Sequence, residues 1–222
     1  MAKNFHSPQV VASYDQHIVK LIPGYELIHQ QIAAILQHHL PESARVLVVG
    51  CGTGYELAYL NQQHPDWQLT ALDLSAAMLE TAQQRLAGGV TQIEWVEGDL
   101  NCLDSTAQYD AVLSILVAHF IEPSKKQDFF ESIYRHLKPE GILLNVDLTQ
   151  PEQESDLAIL QQVCEQTGLT PEQSQKMRQR LQQDFHLLSP EQNIQLLHRA
   201  GFARVTGFWQ MLQYRGVMAF PV

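Results

Sequence analysis

The sequence predicts an α/β fold built on a doubly wound, mostly parallel sheet that ends in an antiparallel hairpin. Between Arg45 and Gly141, short apolar runs alternate with helical patterns, as in a parallel sheet covered on both faces. A glycine-rich turn follows the first of these runs. After Gly201, two apolar runs leave no room for a helix between them, which favours an antiparallel pair. The 222 residues are enough for one sizeable core and do not require a second domain.

Seven strands are expected from these patterns. The first five are expected to be parallel, and the last two form the antiparallel pair. In chain order they are Arg45 to Val49, Gln68 to Leu72, Gln92 to Glu97, Ala111 to Leu116, Ile142 to Leu148, Ala203 to Leu212 and Tyr214 to Phe220.

Polar residues mark the expected helix starts. Ser75 can cap a helix after the second strand, and Ser124 can cap another whose apolar residues recur at helical spacing. Thr170 and Ser189 are each followed by proline at the first helical position and glutamine at the third, the pattern of a capping box. The segment Lys138 to Gly141 is expected to turn the chain into the fifth strand.

These elements divide the single predicted domain, residues 1–222, into four stretches. They are a helical cap at 1–40, the alternating core at 45–148, a glutamine-rich helical lid at 151–186, and a final helix with the hairpin at 189–222. Ligands of open α/β folds bind at the carboxyl edge of the sheet, where water must be kept out. The cap and the lid are therefore expected to cover that edge and to select the substrate.

Composition restricts the class of protein. The formal net charge of −10 repels phosphate backbones on average, so nucleic acid is disfavoured as a partner without being excluded. The chain has no run of about 18 apolar residues and no apolar secretory segment at its start, so we expect a cytoplasmic protein without a membrane segment. The widely separated Cys51, Cys102 and Cys164 fit neither a disulfide framework nor a zinc site, and no metal is predicted.

The strongest motif is the glycine-rich turn after the first strand. Val49 is followed by Gly50, Cys51 and Gly52, and a helix opens from Tyr55 onward. Glycine lets the backbone approach a ligand closely, and N–H groups at a helix start offer donors to anionic oxygens. A plain strand-to-helix turn would show the same residues.

A carboxylate at the end of the second strand supplies a second motif. Asp73 lies about 20 positions beyond the glycines, the spacing at which a carboxylate accepts both ribose hydroxyls. It also suits a helix N-terminus ahead of Ser75, where the helix dipole favours negative charge, and both roles can hold together. The two motifs in this order predict a nucleoside-containing cofactor.

Five motifs in order carry a family resemblance over residues 45–148. G-C-G-T-G, L-D-L-S-A-A-M-L, E-G-D-L, Y-D-A-V-L-S and L-K-P-E-G resemble the successive motifs of class I S-adenosylmethionine (SAM) dependent methyltransferases. The resemblance implies SAM as the cofactor and a Rossmann-like, seven-stranded methyltransferase sheet whose last strand inserts antiparallel. A nicotinamide dehydrogenase would need a second mononucleotide-binding half, so hydride transfer is disfavoured.

The resemblance also implies which residues form the cofactor pocket. Gly50, Cys51 and Gly52 would line the methionine portion of SAM, and Asp73 would hold the ribose. The adenine and the remaining wall of the pocket would be contacted by Leu74, Met78, Asp99, Leu100 and the backbone around Ser114 and Ile115. For Asp99, capping of a turn after the third strand is the structural alternative.

A narrower resemblance is to carboxy-S-adenosylmethionine synthases, SAM-binding relatives that serve tRNA wobble-uridine modification. It rests on Ile22-Pro23-Gly24-Tyr25, Phe120 to Ser124, Ile133-Tyr134 and the ending H-R-A-G-F followed by F-W-Q. It implies that Tyr25 covers the cofactor. Those enzymes grip the extra carboxylate with an arginine, whereas the matching residue here is Leu196. Because a carboxylate buried without a charged partner is costly, the architecture of that group is expected here and its chemistry is not.

A general base is needed only if the methyl acceptor is an oxygen or a protonated nitrogen. His119 is the first candidate, because it follows the fourth strand at the carboxyl edge of the sheet. A packing or helix-start histidine is an equal alternative. Tyr14 in the cap, His186 and Asp147 are further candidates to face the methyl group, and each has a structural alternative as well.

The sequence thus predicts a SAM-dependent methyltransferase acting on a small-molecule acceptor. Two alternatives stay open: a carboxy-SAM synthase linked to tRNA modification, and a module that binds SAM without turnover. The residues do not specify the acceptor or the methylated atom, and they leave a homodimer open.

Overall fold

The computed structural model describes residues 7–88, 92–104 and 109–222. Its strands are β1 (Arg45–Val49), β2 (Gln68–Asp73), β3 (Ile93–Glu97), β4 (Tyr109–Ile115), β5 (Leu137–Leu148), β6 (Arg204–Met211) and β7 (Tyr214–Phe220). Within these ranges they form one seven-stranded sheet in the order β3-β2-β1-β4-β5-β7-β6. The first five strands are parallel, and β7 lies antiparallel between β5 and β6. The predicted α/β fold with a terminal antiparallel hairpin is confirmed.

Helices cover both faces of this sheet. They are α1 (Pro8–Ala12), α2 (Tyr14–Leu21), α3 (Tyr25–His39), α4 (Tyr55–Gln63), α5 (Ala76–Arg85), α6 (Pro123–His136), α7 (Asp156–Gln166), α8 (Pro171–Gln183) and α9 (Pro190–Ala200). The stretch predicted as a cap contains α1 to α3, and its residues 1–6 lie outside the described residues. The stretch predicted as a lid contains α7 and α8.

The predicted caps at three helix starts are confirmed. The side chain of Thr170 accepts from the Gln173 backbone N–H at 3.3 Å, and the Gln173 side chain accepts from the Thr170 N–H at 2.9 Å. Ser189 and Gln192 repeat this reciprocal capping box at α9 with distances of 3.2 and 2.9 Å. Ser75 caps α5 in the simpler one-way form. Local sequence is enough to fix these starts, because both partners lie within one turn.

Two local predictions are wrong. Helix α6 begins at Pro123, before Ser124, because proline occupies the first helical position and Glu122 takes the capping position. The segment from Lys138 to Gly141 belongs to β5 instead of forming a separate turn. The register between β4 and β5 shifts across this segment, so a bulge absorbs the extra residues.

Two apolar layers hold the sheet in place. One lies between the sheet and helices α2, α3, α7 and α8, and receives Leu144 and Val146 of β5. The other lies between the sheet and helices α6 and α9, and receives Leu143 of the same strand. Complete burial of one such side chain stabilises a fold by about 1.5–3 kcal/mol. The two layers fix the carboxyl ends of β1, β2, β4 and β5 along one edge of the sheet, where the predicted site residues lie.

Candidate active site

The glycine-rich loop joins β1 to α4. Gly50, Gly52 and Gly54 have φ angles of 67°, 52° and 77°, in the left-handed region that favours glycine. The Gly50 N–H donates to the Leu72 carbonyl at 2.7 Å, which ties the loop to β2. A Cβ at Gly50 would lie 2.6 Å from a methyl carbon of Val117, whereas a Cβ at Gly52 would meet nothing within 4 Å. Packing therefore requires glycine at the first position, and the second position borders open space.

Cys51 lies between these two glycines and is buried. Burial raises the pKa of its thiol, and the negative charges of Asp73 and Glu56 raise it further. A thiol with a raised pKa stays protonated, so Cys51 is not an activated nucleophile. Its position is consistent with the predicted role in lining a cofactor.

Asp73 ends β2 and faces the loop. Its Oδ2 accepts from the Gly52 N–H at 2.8 Å, and its Oδ1 accepts from the Ser75 N–H at 2.9 Å. The bond from the Ser75 N–H is the one expected if Asp73 is a carboxylate at a helix N-terminus. The first bond holds the same carboxylate against the loop, at the position expected of a ribose acceptor.

The residues predicted to contact the adenine lie after β2 and β3. Leu74 is 67% exposed, whereas Met78 and Leu100 are buried. Asp99 is exposed and accepts from the Asn101 N–H at 2.9 Å, so it caps a short 3-10 turn. The capping interpretation of Asp99 is therefore correct. It does not conflict with the predicted contact to adenine.

Ser114 and Ile115 are buried near the end of β4, where Ser114 lies in register with Val49 of β1. The next residue, Leu116, has a φ of 62°, and its N–H donates to the Val146 carbonyl at 2.7 Å. A left-handed conformation is strained for a residue with a branched side chain and is common at functional sites. The end of β4 is thus held in a bent conformation beside the loop.

Helix α2 is fastened to the loop through Asp15. The Thr53 hydroxyl donates to Asp15 Oδ1 at 2.6 Å, and Arg85 of α5 pairs with the other carboxylate oxygen. Burial raises the pKa of the neighbouring Tyr14, and nearby carboxylates, Asp73 among them, raise it further. The structure therefore brings Tyr14 to the predicted cofactor pocket.

Tyr25 lies in the packing between α3 and α4. Its ring centroid is 5.2 Å from that of Tyr55, at the start of α4. On the same side, His29 Nδ1 lies 2.6 Å from the Tyr25 carbonyl, and His29 Nε2 lies 2.9 Å from Glu56 Oε1. Burial lowers the pKa of His29, but the charge and hydrogen bond of Glu56 outweigh it, so the net shift is upward. Tyr25 therefore belongs to a buried network that ties the cap to the helix after the loop.

The raised pKa of His29 makes the stability of the fold depend on pH. A raised folded-state pKa stabilises the fold fully below the unfolded pKa of about 6.5, and the effect is lost as pH rises through the folded-state pKa. Removing one partner of a buried pair costs about 3–5 kcal/mol. We expect His29→Ala to lower the free energy of unfolding more at low pH than at high pH, as measured by urea titrations at about pH 6 and about pH 9.

The matched control for this prediction is His38→Ala, at an exposed position of the same helix. Its effect on unfolding is expected to be small and nearly the same at both pH values. An equal loss of stability at the two pH values for His29→Ala would show that the His29 contribution comes from packing alone.

His119 and Asp147 form a buried pair at the ends of β4 and β5. His119 lies in the short 3-10 turn Ala118–Phe120, and its Nδ1 is 2.5 Å from Asp147 Oδ1. The same oxygen accepts from the His119 backbone N–H at 3.1 Å. A carboxylate on Nδ1 fixes the imidazole tautomer and leaves Nε2 as the proton acceptor. The sequence left each residue ambiguous, and the structure joins them in one arrangement suited to proton transfer.

Lys126 of α6 supports this turn and was missed by the sequence analysis. It is 1% exposed, and its Nζ donates to the Ala118 carbonyl. Burial lowers the pKa of Lys126, while the negative charge of Asp147 opposes that shift. A lysine on an amphipathic helix normally lies in solvent, so no pattern indicated its burial. His186, the other histidine candidate, is exposed, and its backbone N–H donates to the His119 carbonyl at 2.9 Å.

A cavity of about 310 Å³ lies beside His119. Its walls come from α2, the ends of β4 and β5, α8, and the side chains of Phe185 and Tyr214. The ring centroids of Phe120 and Phe185 lie 4.3 and 4.9 Å from that of His119. Leu116, the residue with left-handed backbone, forms part of the wall. The sequence predicted that the stretch 151–186 covers this edge of the sheet, but it did not indicate which of its side chains would line a cavity.

The sequence of residues 46–141 matches the protein family described as "Methyltransferase domain". Residues 46–141, the core of the chain, therefore carry a methyltransferase domain. Over its length this chain is 28% identical to a carboxy-S-adenosyl-L-methionine synthase of Campylobacter concisus (strain 13826). That alignment spans 225 residues and covers 99% of the chain and 96% of the relative.

Solved structures share the methyltransferase fold. Magnesium protoporphyrin IX methyltransferase from Synechocystis PCC 6803, with bound S-adenosylhomocysteine (SAH), superposes with a TM-score of 0.63 at 20% identity, covering 88% of this chain and 83% of that one. Human N-acetylserotonin methyltransferase in complex with SAM gives a TM-score of 0.67 at 18% identity, covering 97% of this chain and 57% of that one. The predicted methyltransferase fold is confirmed, and these two neighbours bind the predicted cofactor, SAM, or its demethylated product, SAH.

The methyltransferase loop fits this cofactor. Open space beside Gly52 leaves room for a ligand against the backbone, which a Cβ would fill. Asp73 lies next to that space, bonded to the Gly52 N–H. Across the described residues, no helix combines the length and the apolarity needed to cross a membrane.

Proposed function

We propose that this methyltransferase transfers the methyl group of SAM to a hydroxyl group of a small molecule held in the cavity beside His119. The buried pair of His119 and Asp147 carries the proposal, with 2.5 Å between the ring nitrogen and the carboxylate. The pair lies at the carboxyl edge of the sheet. His119 follows β4, and β4 pairs with β1, the strand that leads into the glycine-rich loop. That edge is where open α/β folds bind their ligands.

The cofactor-binding residues follow the sequence prediction. Gly50, Cys51 and Gly52 are proposed to line the methionine portion, and Asp73 the ribose. The adenine side of the pocket is proposed to comprise Leu74, Met78, Asp99 and Leu100, with the backbone of Ser114 and Ile115 completing the wall and Tyr14 and Tyr25 contributed by the cap. SAM supplies a methyl group that is already activated on its sulfonium, so the chain contributes position, exclusion of water and proton transfer.

His119 is proposed to act as the general base. Its Nε2 accepts the hydroxyl proton as the acceptor oxygen forms its bond to the methyl carbon, and the bond between sulfur and that carbon breaks to leave the neutral thioether of SAH. Asp147 holds the imidazole in the required tautomer and stabilises the imidazolium. A positioned base contributes about 10²–10⁴-fold to such a rate.

Synthesis of carboxy-SAM is the second candidate, since relatives that match over nearly the whole chain carry that name. The residue at the position of the carboxylate-gripping arginine, Leu196, is buried in the layer between the sheet and helices α6 and α9. A leucine in an apolar layer supplies no partner for a carboxylate. This observation favours methyl transfer.

Mass spectrometry of purified protein tests the proposal against this alternative. The ligand that copurifies is identified, and the protein is then incubated with SAM and a panel of hydroxylated small molecules. Formation of SAH together with an acceptor heavier by one methylene unit supports methyl transfer. A copurified or newly formed SAM derivative heavier by one CO2 unit, as carboxylation requires, without any methylated acceptor, would replace the proposal with the second candidate.

The remaining expectations stay predictions. They are a cytoplasmic location, a lid at 151–186 that selects the acceptor, no nucleic-acid partner, and the open question of a homodimer.

A further inference from the structure

The charges that line the cavity beside His119 differ from those of the chain as a whole. The chain has 24 acidic residues against 14 lysines and arginines. Among the described residues, however, no aspartate or glutamate lines this cavity, while Lys176 and Arg180 do. The nearby Asp147 carboxylate lies against His119 and is bonded to it. A cationic acceptor would find no carboxylate partner in the cavity, and a negative one would find two cations.

Both cations lie on one face of α8. Lys176 and Arg180 are four residues apart, so their side chains are neighbours on the helix surface. Lys176 Nζ lies 2.7 Å from Glu172, and Arg180 Nε lies 3.1 Å from Asp184. The Lys176 pair is open to solvent on both sides, and such pairs are weak. The Arg180 pair involves a carboxylate whose side chain is 12% exposed, but it uses Nε and leaves the four N–H groups of the terminal guanidinium nitrogens outside this bond. They do not prevent either cation from binding an anion in the cavity, and the fork of arginine donors suits a carboxylate.

The rest of the cavity wall is mostly apolar. Leu116, Phe120, Leu148 and Phe185 line it on the side of the sheet and the His119 turn. A volume of about 310 Å³ is at the lower end of the range for small-molecule sites, so one ring with short substituents fits. The cationic face of α8 and the His119 ring both border this apolar space.

We infer that the cavity selects an acidic acceptor: a hydroxylated, ring-sized apolar molecule whose carboxylate is bound by Arg180 and Lys176 while its hydroxyl faces His119. The inference rests on the proposed function for the role of the hydroxyl. Beyond that function, the inference specifies that the acceptor is negatively charged and names the residues that select this charge. Arg180 is the main anion-binding residue, since its planar guanidinium can hold a carboxylate through two parallel hydrogen bonds.

Calorimetric titration of the protein saturated with SAH tests the charge selection without turnover. The probes are hydroxylated aromatic acids, each with its neutral amide and its cationic amine, beginning with para-hydroxyphenylacetate, para-hydroxyphenylacetamide and tyramine. The acids are expected to bind at least about tenfold more tightly than their amides, and the amines more weakly still. Amides or amines that bind as tightly as the acids, or the absence of binding by any acid, would overturn the inference.

Variants of α8 assign the selection to a residue. Arg180→Gln is expected to weaken binding of the acids about tenfold while leaving the amides unchanged. Arg178→Gln removes the same charge from the same helix at a residue that does not line the cavity, and it should change neither. An equal effect of Arg180→Gln on acids and amides would show that Arg180 acts on the structure of the cavity and would overturn the assignment.

A turnover assay with SAM and the same probes, set beside the binding data, separates the two proposals. Methylation of neutral acceptors as efficiently as acidic ones would overturn the inference and keep the proposed function. Selective binding of acids, with no SAH formed from SAM in the presence of any of them, would overturn the proposed function and keep the inferred charge selection.

Discussion

Replacement of His119 by glutamine is expected to lower the rate of methyl transfer to a hydroxyl acceptor by about 10²–10⁴-fold. Glutamine is close to histidine in volume, so it fills the buried site, but it cannot accept a proton at neutral pH. The bond to Asp147 shows that the His119 ring is held in one orientation, as a base requires. The measurement is the rate of SAH formation at saturating SAM, with SAM affinity determined separately and expected to be unchanged.

Two further variants test whether the loss of rate is specific to the pair of His119 and Asp147. Asp147→Asn keeps the shape of the partner and removes the charge that fixes the imidazole tautomer, so it should also lower the rate. His186→Ala removes an exposed histidine side chain outside the cavity and should leave the rate unchanged. A His119→Gln protein that turns over at the wild-type rate would return His119 to a packing role.

Replacement of Gly52 by alanine is expected to raise the dissociation constant for SAM by about 10–200-fold, the effect of one misplaced methyl group in a binding pocket. The added Cβ would meet no protein atom within 4 Å, so it would project into the space assigned to the cofactor. The left-handed φ of 52° adds a backbone cost of about 1–2 kcal/mol to the folded state. Calorimetric titration with SAM measures the affinity, and thermal unfolding measures the backbone cost.

Gly88→Ala is the matched control for this loop variant. Gly88 has a φ of 93°, and a Cβ there would also meet nothing within 4 Å, but it lies outside the glycine-rich loop. It should show a comparable loss of stability and bind SAM as the wild type does. If Gly52→Ala also kept full affinity for SAM, the assignment of the loop to the cofactor would be wrong.

The sequence predicted the fold well where the determinants are local. Buried parallel strands read as continuous apolar runs, and the caps at Thr170 and Ser189 involve partners within one turn. It failed at Ser124, where a proline one position earlier starts the helix. It also failed at the start of β5, where pairing with β4 draws residues that resemble a turn into the strand. Both errors arise where a local preference competes with another constraint.

The candidate site divides in the same way. Gly52 and Asp73 could be predicted as site residues because each lies within a short local motif. The cavity depends on contacts between α2, α8 and strand ends that are far apart in the chain, and periodicity does not reveal which partner a helix face will meet. The pair of His119 and Asp147 required the knowledge that β4 and β5 are neighbours with their carboxyl ends level.

The conformation of Leu116 sets two properties of the protein against each other. Glycine at this position would relax the left-handed backbone by about 1–2 kcal/mol, and it would lose the packing of the Leu116 side chain against the core. It would also delete a side chain from the wall of the cavity and widen the space in which the acceptor is held. A variant that relaxes this turn would therefore gain relief of backbone strain at the expense of discrimination among acceptors.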